Sequence, residues 1–263
     1  MKTKMSKILI EKLKEELIQL HLTDMAHGLE GILKEAELER QGYLAFLDQL
    51  IASQLKARTE RSLERRIKKA GLSKLMTFDT FDWNFQPALN VEYVKDLAEL
   101  TFIANFQPLM ILGKISTGKT HLANAFGIKA CQAKYKVQFY TLQALLKKLY
   151  AGIADDSTDE IIGMLARCDL LIIDALGFIR PKPEYPSLIL ELVSACRHRT
   201  ALIITSNISF QEWGQVLGNP SITNAIVDRL FDHACLININ PGRSYRTQGP
   251  NAPQLNPHPS NQT

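Results

Sequence analysis

The chain is short of several things, and each shortage narrows what it can be. Only four cysteines occur in 263 residues, at 131, 168, 196 and 235. Their gaps run to tens of residues, so there is no CxxC zinc pair and no disulfide framework of a small secreted domain. No run of about 18 uncharged apolar residues is present, which leaves no membrane span to expect. The opening stretch, MKTKMSKILIEKLKEEL, is charged and lacks the apolar centre of a secretory signal. A reduced, cytoplasmic setting without a membrane partner is the expectation. Proline is missing from residues 1–70, and Asp, Glu, Lys and Arg from the last 17. Charge excess is small as well: 31 Lys and Arg against 27 Asp and Glu, a net +4. That surplus does not by itself imply nucleic acid, so the placement of the cations matters more than their number.

What is present divides by composition. Residues 1–70 read as a small all-α domain. Ile10, Leu13, Leu17 and Leu20 recur at three- and four-residue steps, one face of an amphipathic helix. A second helical run from Tyr43 to about Ala70 is expected to bury Leu44, Leu47, Leu50, Ile51 and Leu55. Residues 71–107, beginning GLSKLMTFDTFDWNFQP, read as a connector leading into a short helix. From 108 to 246 short apolar runs alternate with helical stretches: LMILG (109–113), VQFYT (137–141), LLIID (170–174), ALIITS (201–206) and CLININ (235–240). Such alternation predicts an α/β fold with a five-stranded parallel sheet buried on both faces. The proline-bearing, uncharged segment 247–263 is expected to be a disordered tail.

The strongest motif is Gly113-Lys114-Ile115-Ser116-Thr117-Gly118-Lys119-Thr120, which satisfies G-x-x-x-x-G-K-[ST] between an apolar strand and a helix. Its glycines let backbone N–H groups face a phosphate beside the positive end of a helix. Lys119 would charge-pair the β- and γ-phosphates, and the Thr120 hydroxyl would coordinate Mg²⁺. Ser116, Thr117 and His121 would line the same nucleotide. Asp174 ends the run LLIID, so its carboxylate falls at the sheet edge where such folds bind ligands; it is the Mg²⁺-side acid. The next residue is Ala175, where ATPases of this type usually carry a glutamate that polarises the attacking water. An alanine can neither orient water nor accept a proton. Either hydrolysis is lost or assigned elsewhere, or the glutamate was replaced to hold the ATP-bound state. Asn207, after the fourth strand, could bond the γ-phosphate; Asn there is otherwise a turn former. Arg229, on a helix over about 221–232, could reach a neighbouring subunit's nucleotide as an arginine finger, or be a surface salt-bridging residue.

The order P-loop, LLIID, TSN, EWGQVLG (212–218), DRL (228–230) and GRSYR (242–246) resembles the IstB-type transposition helper ATPases, relatives of the DnaC helicase loader within the AAA+ superfamily. The resemblance covers nearly the whole chain, and TSNISFQEWGQVLG is its most specific piece. It implies an AAA+ αβα core behind a helical N-terminal domain. It also implies ATP binding, assembly into homo-oligomers on double-stranded DNA, and recruitment of an IstA-type transposase. Carried over, Gly113, Gly118, Lys119 and Thr120 match the Walker A motif, Asp174 the Walker B acid, Asn207 the first sensor, Arg229 the arginine finger and Arg246 the second-sensor arginine. There are two departures. The loop GKISTGKT has lost an internal glycine of the family's GPPGTGKT, and Ala175 replaces the usual glutamate.

Seven cations and two acids fall in residues 56–69. Arg58, Arg61, Arg65, Lys68 and Lys69 follow helical steps and could track DNA phosphates without reading bases; the plainer reading is a solvated helix face. Lys147 and Lys148 are a rival contact. A replicative helicase loader and a non-hydrolysing, nucleotide-gated DNA scaffold remain the alternative functions.

Overall fold

The computed structural model describes residues 2–176 and 182–250, with side chains from residue 7 onward. The chain divides into two compact units, Met1–Arg65 and Arg66–Thr263.

In the first unit α1 (Lys2–Gln19) packs on α2 (Thr23–Leu38), and α3 (Tyr43–Ala70) begins. Gln54 ties α3 to the start of α2. Its Oε1 accepts the backbone N–H groups of Asp24 and Met25 at 3.0 and 3.1 Å, satisfying donors that a helix start leaves open. Arg61 adds a two-pronged ion pair to the Asp24 carboxylate. The apolar stripe of α3 departs from expectation. Leu50 is buried, but Leu44, Leu47, Ile51 and Leu55 are exposed, Leu44 to 83%. Periodicity marks which face of a helix is apolar, not what covers it. The first unit buries little more than Ala26, Leu29, Ala36 and Leu50, and three helices of this length present more apolar surface than they can mutually cover.

The second unit starts with the end of α3 and the segment 71–107. That segment, read as a connector, is folded onto the unit: Leu72, Phe81, Leu89, Phe102 and Ile103 are all buried. It contains a 3₁₀ turn at Trp83–Phe85, α4 (Val91–Leu97) and α5 (Thr101–Ala104). There follow β1 (Leu109–Leu112), α6 (Lys119–Gln132), β2 (Val137–Thr141), α7 (Leu142–Ala151), α8 (Thr158–Leu165), β3 (Leu170–Leu176), α9 (Tyr185–Cys196), β4 (Ala201–Ser206), α10 (Trp213–Leu217), α11 (Pro220–Phe231), β5 (Cys235–Asn238) and α12 (Tyr245–Gln248).

All five strands are parallel, in the order β2-β3-β4-β1-β5. Leu170, Leu171, Ile172 and Ile173 are all buried, as a strand covered on both faces requires. Local chemistry starts the helices between strands. The Thr141 hydroxyl accepts the Ala144 N–H at 3.2 Å to cap α7, and Asn219 caps α11 ahead of Pro220. The chain leaves β1 for the far edge at β2, then works back through β3 and β4. Carboxyl ends of β1, β3 and β4 therefore open together where the strand order reverses, the place such sheets bind ligands. Part of TSNISFQEWGQVLG is core: Trp213 and Leu217 are fully buried, and the Trp213 indole N–H donates to Ser206 Oγ at 3.2 Å. Of the expected tail, residues 251–263 lie outside the described residues.

Candidate nucleotide site

The P-loop joins β1 to α6. Its backbone is set by two left-handed residues. Gly118, just before α6, has φ +97°, and a Cβ there would sit 2.8 Å from the Phe81 ring, so both conformation and space call for glycine. Ser116 takes φ +62°. It stands where the resemblance has its internal glycine, so the loop keeps the glycine conformation and carries the strain of a side chain in it.

Lys119 is buried, and its ammonium donates to the Gly113 and Lys114 carbonyls at 2.8 and 2.6 Å. Burial pulls its pKa down to about 8, and the Asp174 charge opposes that shift. The Thr120 hydroxyl lies 2.9 and 3.0 Å from the two Asp174 carboxylate oxygens. A second hydroxyl, from Thr205, donates to Asp174 at 2.6 Å and accepts the Ala175 N–H at 2.9 Å. Thr205 was not singled out from sequence. A β-bulge between Ile173 and Leu176, with Ala175 at φ +65°, turns this backbone toward β4 and brings Thr205 to the acid.

Asn207 and Arg246 line a cleft that also includes Lys114 and Ser116 of the P-loop, and the Asn207 Oδ1 is buried without a hydrogen-bond partner. Arg246 also borders a second cavity of about 420 Å³ with Ser116, Thr117, Gly118, Lys119, Thr120 and His121. Opposite walls come from Phe81, Phe85 and Tyr245. Gln86 binds these parts together: its side-chain amide donates to the Thr117 and Arg243 carbonyls at 3.2 and 2.7 Å, and its Oε1 accepts the Arg243 N–H at 2.9 Å. Tyr245 N–H donates to the Ser116 carbonyl at 2.8 Å. The aromatic run TFDTFDWNF was the available signal for these walls; its fold back onto α6 was not legible. His121 Nε2 lies 2.7 Å from the Thr77 carbonyl, so it holds this segment at the cavity's edge.

Other singled-out residues lie elsewhere. Arg229 donates to the Ala225 carbonyl at 3.1 Å and lines a cavity with Pro108 and Thr200, which precede β1 and β4. It is thus at the amino ends of the strands, the opposite side from its own P-loop. Arg58, Arg65, Lys68, Lys69 and Lys147 are exposed. Arg61 is committed to Asp24, and Lys148 donates to the Tyr140 hydroxyl at 3.1 Å. Cys168 and Cys196 are buried thiols, each pushed up to about 12, which leaves no thiolate for chemistry. Among the described residues no cluster of three His, Cys, Asp or Glu could hold a metal on its own, and no helix is long and apolar enough to cross a membrane.

Comparison with known proteins agrees with this geometry. The replication initiator DnaA bound to AMPPCP and single-stranded DNA matches with a TM-score of 0.54 at 21% identity, over 66% of this chain and 53% of that one. The DnaC helicase loader matches with a TM-score of 0.52 at 18% identity, over 63% and 99%. At those identities the likeness bears on the fold alone, a parallel sheet with helices on both faces and a P-loop. A relative from Pseudomonas aeruginosa, named as an ATP-binding protein of insertion sequence IS21, is 32% identical over 230 residues, 88% of this chain and 86% of its own. One from Geobacillus stearothermophilus, named likewise for IS5376, is 30% identical over 236 residues, 90% and 94%. The model of the family described as IstB-like ATP binding protein matches residues 15–252, and the chain belongs to that family.

Proposed function

We propose that this chain is an ATP-dependent transposition helper: it binds ATP with Mg²⁺ at the P-loop, assembles as a homo-oligomer on double-stranded DNA, deforms the DNA and recruits an IstA-type transposase. The observation that supports the reading most is the cluster of Lys119, Thr120 and Asp174 behind one phosphate-sized turn at the sheet's carboxyl edge.

ATP with Mg²⁺ supplies a compact, highly charged phosphate chain that two subunits can share. Lys119 turns its ammonium from the loop carbonyls to the β- and γ-phosphates. Thr120 and Asp174 offer a hydroxyl and a carboxylate, the hard oxygen donors Mg²⁺ takes while keeping waters and phosphate oxygens as its other ligands. Asn207 and Arg246 flank the loop and bond the γ-phosphate side. Arg229, remote from its own P-loop, completes the site of the next subunit. Ala175 leaves no group to accept the proton of an attacking water, so turnover is impaired and the assembly is long-lived. The exposed cations Arg58, Arg65, Lys68, Lys69 and Lys147 contact DNA phosphates, giving salt-dependent, sequence-tolerant binding.

Ala175 equally favours a second reading, a DNA scaffold gated by nucleotide that never hydrolyses it. Sizing by light scattering, with and without ATP and duplex DNA, tests the first part: large species are expected only with both. Sizes independent of ATP would sink it. Repeating the sizing with Ala175→Glu separates the readings. A helper whose turnover is restored disassembles as ATP is spent; a scaffold stays assembled.

A further inference from the structure

The amino ends of β2 and β3 lie opposite the P-loop edge of the sheet. A cleft of about 460 Å³ opens there, within the second unit, lined by Arg66, Lys69, Lys134, Lys136, Lys148 and Arg167 and by no carboxylate. The cations come from four separate segments: the end of α3, the turn between α6 and β2, helix α7, and the turn between α8 and β3. Among the described residues, Lys69, Lys134, Lys136, Lys148 and Arg167 make no ion pair with an acid. The adjoining acid, Asp169, is occupied: its carboxylate accepts the Lys136 backbone N–H at 2.6 Å. Like charges gathered round one cleft repel each other and are tolerated where a polyanion neutralises them.

We infer that this cleft grips the phosphodiester backbone of duplex DNA. The inference rests on the reading that the chain binds DNA, and places that binding on the ATPase unit. Lys69, Lys134, Lys136, Lys148 and Arg167, five cations on four segments, exceed what one phosphate can engage and match a run of successive phosphates. The walls hold two tyrosines, Tyr135 and Tyr140, and Lys148 is held at Tyr140 with its ammonium 5.2 Å from the ring centre and bonded to the phenol oxygen. Cations spread over four segments with no carboxylate among them suit the evenly repeated charge of a phosphodiester backbone, which favours nucleic acid over an acidic protein. The same elements reach the nucleotide site at their other ends: α6 starts at Lys119, and β3 carries Asp174. DNA and ATP can therefore be held together without competing for space.

The test uses the full chain with the triple variant K134Q/K136Q/R167Q, fluorescence anisotropy on a duplex of arbitrary sequence, and a salt series with ATP present. Binding of a fluorescent ATP analogue checks that the fold and the P-loop are intact. Each lost phosphate contact lowers the slope of log K against log salt by about 0.9. The triple variant is expected to bind about a hundredfold or more weaker at 0.1 M salt, with a slope lower by about 2 to 3, while it keeps the analogue. The charge-conserving K134R/K136R/R167K is expected to bind like the parent chain. Should the triple variant lose the analogue, the single R167Q is read instead, with a slope lower by about 1. An unchanged slope in an intact variant overturns the cleft while leaving DNA binding by the chain in place. A parent chain that binds no duplex at low salt overturns the DNA reading itself. Displacement of the duplex by polyglutamate of equal charge at equal concentration would assign the cleft to acidic protein and overturn the inference.

Discussion

The Thr205 hydroxyl donates to Asp174 at 2.6 Å and accepts the Ala175 N–H at 2.9 Å. One small side chain on β4 thus fixes both the acid beside the P-loop and the residue that follows it. Replacing Thr205 with valine keeps the volume and removes both bonds. Because the site is buried, the unpaired groups left behind are expected to cost about 1–3 kcal/mol of stability. Mg²⁺-dependent binding of an ATP analogue should weaken with it, read by titration at fixed and zero Mg²⁺. An unchanged Mg²⁺ dependence would show that Thr205 does not orient Asp174.

Lys119 sets a pH dependence with a definite sign. Its pKa is lowered to about 8 by burial, so the ammonium is charged below that value and neutral above it. Nucleotide phosphates require the charged form and draw a proton back on. Affinity for an ATP analogue is expected to be flat below pH 8 and to fall up to about tenfold per pH unit above it. Equilibrium titrations from pH 7 to 9.5 measure this, and Lys119→Met should remove the dependence along with most of the affinity. A flat profile through pH 9.5 in the parent chain would contradict it.

Ser116 holds a side chain in the left-handed region at φ +62°. Ser116→Gly relieves strain of about 1–2 kcal/mol and gives back about 0.5–1 kcal/mol through the freer unfolded chain. A net gain of up to about 1.5 kcal/mol is expected in chemical denaturation, with ATP-analogue affinity unchanged. A loss of stability would mean that the serine side chain contributes something glycine cannot.

Gln86 is buried and makes three hydrogen bonds that join the P-loop to the segment carrying Arg246. Gln86→Leu leaves those backbone groups without their side-chain partner at a buried position. The expected cost is about 2–3 kcal/mol, together with weaker nucleotide binding, seen in parallel denaturation and binding measurements. Stability loss without any effect on binding would limit Gln86 to a structural part.

The five strands were legible because a strand covered on both faces is an apolar run, and composition alone marks it. Strand β3 opens with LLII, and all four of those residues are buried. The P-loop was legible because its chemistry is local, eight residues on one turn. The cavity walls were not. Gln86 and Arg243 meet across 157 residues, and no periodicity announces such a contact. Thr205 lay in a stretch noticed for Asn207, but a bulge decided which side chain reaches the acid, and bulges leave little trace in sequence. Leu44, Leu47, Ile51 and Leu55 show the other limit: their spacing is helical, yet all four are exposed among the described residues. The charge run at 56–69 drew attention to α3. The cations at 134, 136 and 167 are scattered along the chain, and only the fold gathers them with Lys69 and Lys148.

The most direct measurement is steady-state ATP hydrolysis on duplex DNA by the chain as it stands and by Ala175→Glu, with analogue binding recorded for both. The expected result is tight binding in both forms, turnover near background with Ala175, and a rise of about 10²-fold or more with glutamate, the scale a positioned general base contributes. Equal turnover in the two forms would contradict the assignment of the missing base to Ala175, and the long-lived ATP-bound assembly on DNA would fall with it.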